Sequence, residues 1–191
     1  MAATQPIRNK KEVRKLMEYF LKLGNLRNYA LVVLGIHTAL RISDILRLSW
    51  DDVYDFERGK VRNSICVIEK KTGKSKTIAL NNKVVAALTL LAQKHAEAGR
   101  FLIENPNLRK AISRVQAYRI IRAAAEEAAL SGRVSCHSLR KTFGYHAWKS
   151  GVSAVVIMEI YNHSSLAVTK RYLGVTQDDK NSVYMGLSFA A

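Results

Sequence analysis

Proline is scarce in this chain: only Pro6 and Pro106 occur among its 191 residues. Because proline inside a helix removes a backbone hydrogen bond and clashes with the preceding turn, a chain with so little of it can be helical over most of its length. Apolar residues recur at helical spacing through much of the sequence. The sequence therefore predicts a fold dominated by helices.

The helical spacing predicts a series of separate helices. The first is amphipathic, starts near Asn9 and ends at Gly24, which can adopt the left-handed conformation common after helix ends. The second, from Leu26 to Ala39, is nearly all apolar and is expected to be buried. A short helix capped by Ser43 follows and runs through Leu48. Further helices are predicted over residues 82–98, 108–130, 138–150, 153–160 and 166–173, with a tail helix from residue 177.

The helical spacing of apolar residues is interrupted between Val53 and Leu80. Short runs rich in β-branched residues are separated there by Gly59 and by a Lys-Thr-Gly-Lys turn at residues 71–74. This predicts three antiparallel strands, over residues 53–56, 64–68 and 76–80. The predicted fold class is therefore mainly α with a small three-stranded antiparallel sheet (α+β), in one domain spanning residues 1–173, followed by a tail over residues 174–191.

The charge of the chain indicates its partner. Thirty-one Lys and Arg against fifteen Asp and Glu leave a formal net charge of +16, which repels itself unless a polyanion neutralises it. The basic residues are spread along the whole sequence instead of forming one amphipathic helix, so a lipid surface is the weaker candidate. The sequence therefore predicts nucleic acid as the partner.

The location and redox chemistry of the chain are also constrained. The longest apolar run, around Tyr29 to Ile36, is much shorter than the roughly 18 residues of a membrane span. No signal peptide follows Met1, so we expect a cytoplasmic protein without a membrane partner. The two cysteines, Cys66 and Cys136, form no CxxC pair, which argues against a disulfide framework or a thiolate metal site.

Seven side chains could do chemistry, and each also has an ordinary structural explanation. An arginine three residues before an aspartate can form a helix-surface ion pair, and a histidine in a polar run can cap a helix. A tyrosine is most often a packing residue. Taken singly, none of them separates catalysis from packing. The candidates are Arg41, Asp44, Lys71, His137, Arg140, His163 and Tyr172.

Four segments taken together resemble the catalytic domain of the tyrosine recombinase, or phage integrase, family. The order of residue types is arginine, hairpin lysine, His-x-x-Arg, histidine and tyrosine, and it is specific because all of them must fall in sequence at workable separations. The match covers nearly the whole chain. The segments are HTALRISDILRLSWDDV (37–53), EKKTGKSKTIAL (69–80), HSLRKTFGYHAW (137–148) and NHSSLAVTKRYL (162–173).

The resemblance implies that two arginines bind the scissile phosphate. Arg41 is similar to the first active-site arginine of the family, Asp44 to the acidic residue that braces it, and Arg140 to the arginine of the His-x-x-Arg box. A guanidinium is always protonated and can bind phosphate oxygens bidentately, so this chemistry needs neither a divalent metal nor ATP. The resemblance therefore implies an enzyme without cofactors.

The resemblance also implies the nucleophile and the groups that move protons. Tyr172 is similar to the family's nucleophile, His137 to the histidine that helps it, and His163 to a second histidine that hydrogen-bonds the phosphate. A phenol is mostly protonated at neutral pH and needs such help before it attacks. The resulting 3′-phosphotyrosyl bond keeps the energy of the broken linkage, so a 5′-hydroxyl can reverse the step.

A lysine of the 71–74 turn completes the implied set. Lys71 is similar to the family's hairpin lysine and would protonate the departing 5′-oxygen. Lys70 and Lys74 are close enough in sequence to compete for that role. Which of the three lysines acts as the acid stays open at this point.

The resemblance implies a site-specific DNA recombinase or integrase that acts on double-stranded DNA. Relatives work as homo-oligomers, which implies a tetramer on DNA and a monomer when free, in a bacterial or phage-encoded protein close to the nucleoid. Two alternatives remain: a type IB topoisomerase that relaxes DNA alone, and a DNA-binding module that keeps the fold without the chemistry. A covalent protein–DNA adduct separates the second alternative from the enzymes.

Two departures from the family pattern set further expectations. Asn162 stands where relatives usually have glycine, and asparagine tolerates the left-handed conformation well enough to keep the turn. Met1 lies close to the start of the catalytic fold, so we expect the core-binding and arm-binding domains of relatives to be absent. The chain is then either an excised domain or a minimal recombinase. Its apolar tail residues are expected to dock on a neighbouring protomer or on their own domain: Val183, Met185, Leu187 and Phe189.

Overall fold

The computed structural model describes residues 4–95 and 100–187. Within these ranges the chain is mainly helical with small antiparallel sheets, which confirms the predicted fold class. No helix in the ranges is both long and apolar enough to cross a membrane. The helices are α1 (Lys10–Lys22), α2 (Leu26–His37), α3 (Ile42–Ile45), α4 (Trp50–Val53), α5 (Asn82–His95), α6 (Arg114–Glu127), α7 (Cys136–Lys149), α8 (Ala154–Ile160), α9 (Leu166–Leu173) and α10 (Gln177–Gly186).

The described strands form three two-stranded sheets, where the sequence predicts a single three-stranded sheet. The first predicted strand begins inside α4, and its middle residues, Tyr54 and Asp55, pair with a strand that was not predicted. This pairing forms because Gly59, at φ 60°, reverses the chain direction. The other two predicted strands pair with each other as expected. The strands pair in chain order and are β1 (Tyr54–Asp55), β2 (Lys60–Val61), β3 (Ser64–Ile68), β4 (Ser75–Ala79), β5 (Glu104–Asn105) and β6 (Lys110–Ala111).

The third hairpin, β5–β6, lies partly where a helix was predicted. That helix was expected from Leu108, but α6 begins at Arg114, where the Ser113 side chain caps its first turn. Arg27 holds the hairpin by donating from its guanidinium to the Glu104 carbonyl at 2.9 Å. Because Arg27 lies far away in sequence, no local periodicity could indicate this contact.

Helix α2 is the central helix of the main core, as its apolar sequence predicts. Residues 30–36 are all buried, and α1, α5 and α7 pack against this helix. Gly35 allows α7 to approach closely, since a Cβ at this position would lie 2.7 Å from Cδ1 of Leu139. The close packing fixes the position of α7, which carries two of the candidate site residues.

The chain turns sharply after α2, and this turn sets the position of Arg41. Ala39 is buried and has a φ of 57°, a conformation that residues other than glycine rarely adopt. Arg41 then occupies the N-cap position of α3, so the prediction that Ser43 caps this helix is wrong. The helix also ends at Ile45, earlier than expected, because the backbone N–H groups of Arg47 and Leu48 bond to the carbonyls three residues back instead of four.

A second apolar cluster supports the candidate tyrosine. Ala39, Ile157, Tyr161 and Leu173 are buried together between α7, α8 and α9, and Tyr172 packs against them. The cluster is separate from the main core around α2. Packing in this cluster therefore fixes the positions of the ends of α8 and α9.

The tail forms α10, which contributes no buried residue within the described range. Val183, Met185 and Leu187 each expose more than half of their surface. Phe189, the fourth apolar residue of the predicted tail, lies outside the described residues. The described tail therefore presents its apolar side chains to solvent.

Candidate active site

Arg41 is held by a buried carboxylate that the sequence analysis did not single out. Its guanidinium lies 2.8 Å from a carboxylate oxygen of Glu69, whose side chain is completely buried. Asp44, which was expected to brace Arg41, accepts a hydrogen bond from the backbone N–H of Lys70 at 3.0 Å. Asp44 thus anchors the β3–β4 hairpin, and the ion pair that holds Arg41 comes from the hairpin itself.

The buried carboxylate of Glu69 contacts polar groups from three other parts of the chain. Its carboxylate accepts hydrogen bonds from Thr72 at 2.9 Å and from the Asn162 amide at 3.2 Å, and Lys76 lies 3.2 Å away. Burial alone would raise the pKa of Glu69, but the contacts with Arg41, Asn162, Thr72 and Lys76 outweigh it and lower the pKa to about 2. The carboxylate is therefore charged at any physiological pH.

Arg140 is fixed in place by backbone carbonyls. It is almost fully buried, and its guanidinium donates to the carbonyl of Ala39 and, at 2.9 Å, to that of Tyr161. The same group lies 4.4 Å from the centre of the Tyr161 ring. Burial and the positive charge of Arg41 lower the pKa of Arg140 from its usual value, yet such a guanidinium stays protonated. The left-handed turn at Ala39 thus aims a carbonyl that orients this arginine.

The side chain of Tyr161 also contacts Arg140, through a hydrogen bond to the Arg140 backbone. The Tyr161 hydroxyl donates to the Arg140 carbonyl at 2.5 Å, and the tyrosine side chain is fully buried. Burial raises the pKa of Tyr161, which keeps the phenol protonated as a donor. Gly144 makes room for this ring, since a Cβ there would lie 2.9 Å from Cε2 of Tyr161.

Tyr172 lies among the candidate histidines and Arg140. Its half-buried ring has its centre 4.6 Å from that of His163 and 5.0 Å from that of His137. The guanidinium carbon of Arg140 is 5.9 Å from the centre of the same ring. Side chains from α7, α9 and the α8–α9 connection therefore meet at the predicted nucleophile.

Both histidines are neutral in this environment. Partial burial and the positive charges of Lys141 and Arg140 lower the pKa of His137 to about 4. Partial burial and the charges of Arg140 and Arg41 lower the pKa of His163 to about 4 as well. A neutral imidazole has one nitrogen that can accept a proton, so either ring can act as a base near neutral pH.

The turn before His163 has the conformation that the sequence predicts. Asn162 has a φ of 51°, in the left-handed region that asparagine tolerates. Nδ1 of His163 lies 3.0 Å from the hydroxyl oxygen of Thr169 in α9. When that hydroxyl donates to Nδ1, the ring proton is on Nε2 and is available to another acceptor.

The hairpin lysines occupy different environments. Lys71 is exposed, and its charge contributes to the lowered pKa of His137, after burial and the charges of Lys141, Arg140 and Arg41. Lys70 and Lys74 are exposed as well. Lys76, which the sequence analysis placed only in a strand, contacts Glu69 and donates to the Ile160 carbonyl at 3.1 Å. A lysine of the turn is thus free to move toward a ligand, whereas Lys76 is anchored inside the site.

The sequence contained one signal for the missed carboxylate. Glu69 is the one acidic residue in the segment from residue 69 to residue 80, which also holds four lysines. A single acid in such a basic hairpin is a candidate for a structural ion pair. Nothing in the local pattern signals the roles of Ala39 and Tyr161, because both act through backbone carbonyls that contact Arg140.

The assembled site concentrates positive charge around a phenol. Arg140 and Lys141 lie beside the Tyr172 ring, and the charges of Arg41 and Arg140 act on both neutral histidines. In the described part of the chain, no group of three or more His, Cys, Asp or Glu side chains lies together as a metal site requires. The arrangement can hold a phosphate group by charge and hydrogen bonds while a phenolic oxygen attacks it.

Comparison with known proteins identifies the class. The family model of the phage integrase family matches residues 8–178. The chain is 35% identical over 184 residues to the probable integrase/recombinase YoeC of Bacillus subtilis, with 96% of this chain and 97% of YoeC covered. It is 28% identical over 167 residues to the tyrosine recombinase XerA of Pyrococcus furiosus, with 86% of this chain covered. The chain spans only 56% of that XerA.

Solved structures share the fold. A crystal structure of XerA recombinase has a TM-score of 0.78 at 22% identity, with 97% of this chain and 65% of XerA covered. XerH recombinase bound to its palindromic difH substrate has a TM-score of 0.76 at 19% identity, with 97% of this chain and 55% of XerH covered. The fold is that of tyrosine recombinases. The chain belongs to the phage integrase family, whose function is site-specific DNA recombination.

Proposed function

We propose that this chain cuts and rejoins double-stranded DNA through a 3′-phosphotyrosyl intermediate on Tyr172. The observation that carries the proposal is the meeting of neutral histidines and fixed guanidinium groups around one phenol, at residues that follow the family's motif order. The groups around the phenol are His137, Arg140 and His163, and the charge of Arg41, held by Glu69, acts on both histidines.

The two arginines bind the non-bridging oxygens of the scissile phosphate. Negative charge grows on these oxygens as the phenolic oxygen attacks, so donors that are already in place lower the barrier. Arg140 is held by two carbonyls and Arg41 by Glu69, so neither has to reorganise during the reaction. Because the guanidinium groups supply the positive charge, the proposed reaction requires neither a metal ion nor ATP.

Proton transfers complete the step. His137 accepts the proton of Tyr172 as its oxygen bonds to phosphorus, and the bond from phosphorus to the 5′-oxygen breaks. Lys71 donates a proton to that leaving oxygen, and His163 donates a hydrogen bond from Nε2 to the phosphate. A 5′-hydroxyl from the same or another strand then reverses these transfers and reseals the backbone.

Double-stranded DNA is the proposed partner, in a tetramer on DNA and a monomer when free. The net charge of +16 and the solved XerH complex with difH DNA support DNA binding. The exposed apolar side chains of α10 support docking of the tail on a neighbouring protomer. We place the protein in the cytoplasm with bacterial or phage DNA.

Covalent trapping tests the proposal. The wild-type protein is incubated with a library of nicked duplexes of randomised sequence, from which a short strand diffuses away after cleavage. We expect adducts that survive detergent and disappear with protease, with Tyr172→Phe forming none and Tyr118→Phe forming as many as the wild type. Adducts that persist in Tyr172→Phe contradict the assignment.

Two further outcomes distinguish the alternative functions. Relaxation of plasmids of arbitrary sequence by the monomer would indicate a topoisomerase of type IB. Salt-sensitive binding without any adduct would indicate a DNA-binding module, because phosphate neutralisation alone produces that salt dependence.

A further inference from the structure

The N-terminal strap, residues 4–8, links the two helices that carry the candidate nucleophile and its neighbours. The backbone N–H of Ile7 donates to the buried hydroxyl of Thr142 in α7 at 2.9 Å. The guanidinium of Arg8 donates to the carbonyl of Gly174, at the end of α9, at 3.3 Å. The strap therefore contacts both α7 and the end of α9, two residues after Tyr172.

Lys141 connects the strap to the nucleophile. It is a buried residue of α7 with an exposed fraction of 8%, and its ammonium donates to the Thr4 carbonyl at 2.6 Å. The same nitrogen lies 5.7 Å from the centre of the Tyr172 ring, within the range of cation–π contacts. A buried ammonium is stable only when partnered, so the Thr4 carbonyl keeps this charge next to the phenol.

We propose that Lys141 is a positioning residue for strand cleavage: anchored on Thr4 and placed over the Tyr172 ring, its charge stabilises the phenolic oxygen as the proton passes to His137 during attack. This inference rests on the proposed function, since it assigns a role within the reaction at Tyr172. The role does not require a contact with the phosphate, because it acts through the Thr4 carbonyl and the Tyr172 ring, the two groups that Lys141 contacts.

Among the charges near His137, that of Lys141 has the largest effect on the His137 pKa. After burial, Lys141 is the foremost cause of the lowered pKa of His137. Removing this charge therefore makes His137 easier to protonate. The other titratable or charged groups that act on His137 or Tyr172 lie in α7 itself and in the elements packed against it, and they stay in place. They are Arg140 of α7, and Arg41, Lys71, Tyr161 and His163 of the other elements.

Three substitutions separate charge from anchoring. Lys141→Met removes both the charge and the hydrogen bond. Lys141→Gln removes the charge but keeps a donor for the Thr4 carbonyl, so the strap can stay anchored. Lys141→Arg keeps both. Lys94→Met, which removes one exposed charge from α5, controls for the general loss of DNA affinity.

The rate of adduct formation on the trapped DNA and the NMR titration of His137 in the DNA-free protein are measured for each variant. We expect Lys141→Gln and Lys141→Met to form adducts about tenfold more slowly near neutral pH, to recover in part as the pH rises, and to raise the pKa of His137. Lys141→Arg and Lys94→Met should match the wild type in both measurements.

The outcomes distinguish the inference from the function on which it rests. A wild type that forms no adduct overturns the proposed function and the inference with it. A wild type that forms adducts, with Lys141→Gln equal to it in rate, pH profile and His137 titration, overturns the inference alone. A slower Lys141→Gln with unchanged pH profile and unchanged His137 titration also overturns it, because a purely structural role gives that result.

Discussion

Glu69 and Arg41 form a buried ion pair, 2.8 Å apart, that joins the β3–β4 hairpin to the start of α3. The pair places the first arginine of the site and the hairpin turn with its lysines in one rigid unit. Breaking a buried pair by removing one charge leaves the partner uncompensated, which is costly in a desolvated site. The carboxylate is therefore as important for the geometry of the site as the arginine that it holds.

Replacing Glu69 tests this role. Glu69→Gln leaves Arg41 and Lys76 without their counter-ion, and we expect the free energy of unfolding to fall by about 3 kcal/mol. Adduct formation should also slow, because Arg41 is no longer oriented. Urea denaturation measures the first effect, with Glu57→Gln, an exposed acid, as control. Equal stability of Glu69→Gln and the wild type would contradict the role of the pair.

Acid should destabilise the protein in two stages. The folded-state pKa values of His137 and His163 are lowered to about 4 from 6.5, so the unfolded chain binds more protons and stability falls as the pH drops from 6.5 toward 4. The pKa of Glu69 is lowered from 4.5 to about 2, so its contribution is complete above pH 4.5 and is lost as the pH falls toward 2.

Unfolding free energies measured between pH 7 and pH 2 check this prediction. His163→Gln should flatten the first stage, and Glu69→Gln should flatten the second. A stability that stays constant from pH 6.5 to pH 4 in the wild type would show that the histidines are not held neutral.

Gly144→Ala should disturb Arg140 without touching it. The new Cβ would overlap the hydroxyl and ring of the fully buried Tyr161, which cannot swing away, and overpacking of this kind costs about 1–3 kcal/mol. We expect a lower Tm and slower adduct formation. Gly151→Ala, at a position with open space but a φ of 89°, should lower the Tm through backbone strain and leave the rate per folded molecule unchanged.

Arg140→Lys tests whether the fixed guanidinium fork matters beyond its charge. A lysine keeps the charge but cannot bind two carbonyls and a phosphate oxygen in one plane, so we expect adduct formation to fall by about 100-fold. Arg119→Lys, on the exposed surface of α6, is the matched control. Retention of the wild-type rate by Arg140→Lys would mean that charge alone suffices.

Local sequence patterns predicted much of the scaffold. The buried α2 and the Gly24 turn, at φ 63°, follow from periodicity and from conformational preferences of single residues. Asn162 took the expected left-handed conformation for the same reason. Such features depend on neighbours in the chain, which is why the sequence alone is enough to predict them.

Features that depend on distant contacts were missed. The ion pair of Glu69 with Arg41 was not predicted, because it forms only when the hairpin folds back over the start of α3 and brings its own carboxylate to Arg41. The β5–β6 hairpin replaced the start of a predicted helix because Arg27 holds the Glu104 carbonyl. The structure brings His137, Arg140 and His163 of the predicted set to Tyr172, but the motif order did not indicate which groups hold them.

Identification of the residue linked to DNA tests the central claim most directly. Adducts trapped on a nicked duplex are digested with protease and nuclease, and the remaining nucleotide-bearing peptide is sequenced by mass spectrometry. We predict a single bond between the Tyr172 oxygen and a 3′-phosphate. A bond to any other residue, or to a 5′-phosphate, would contradict the account.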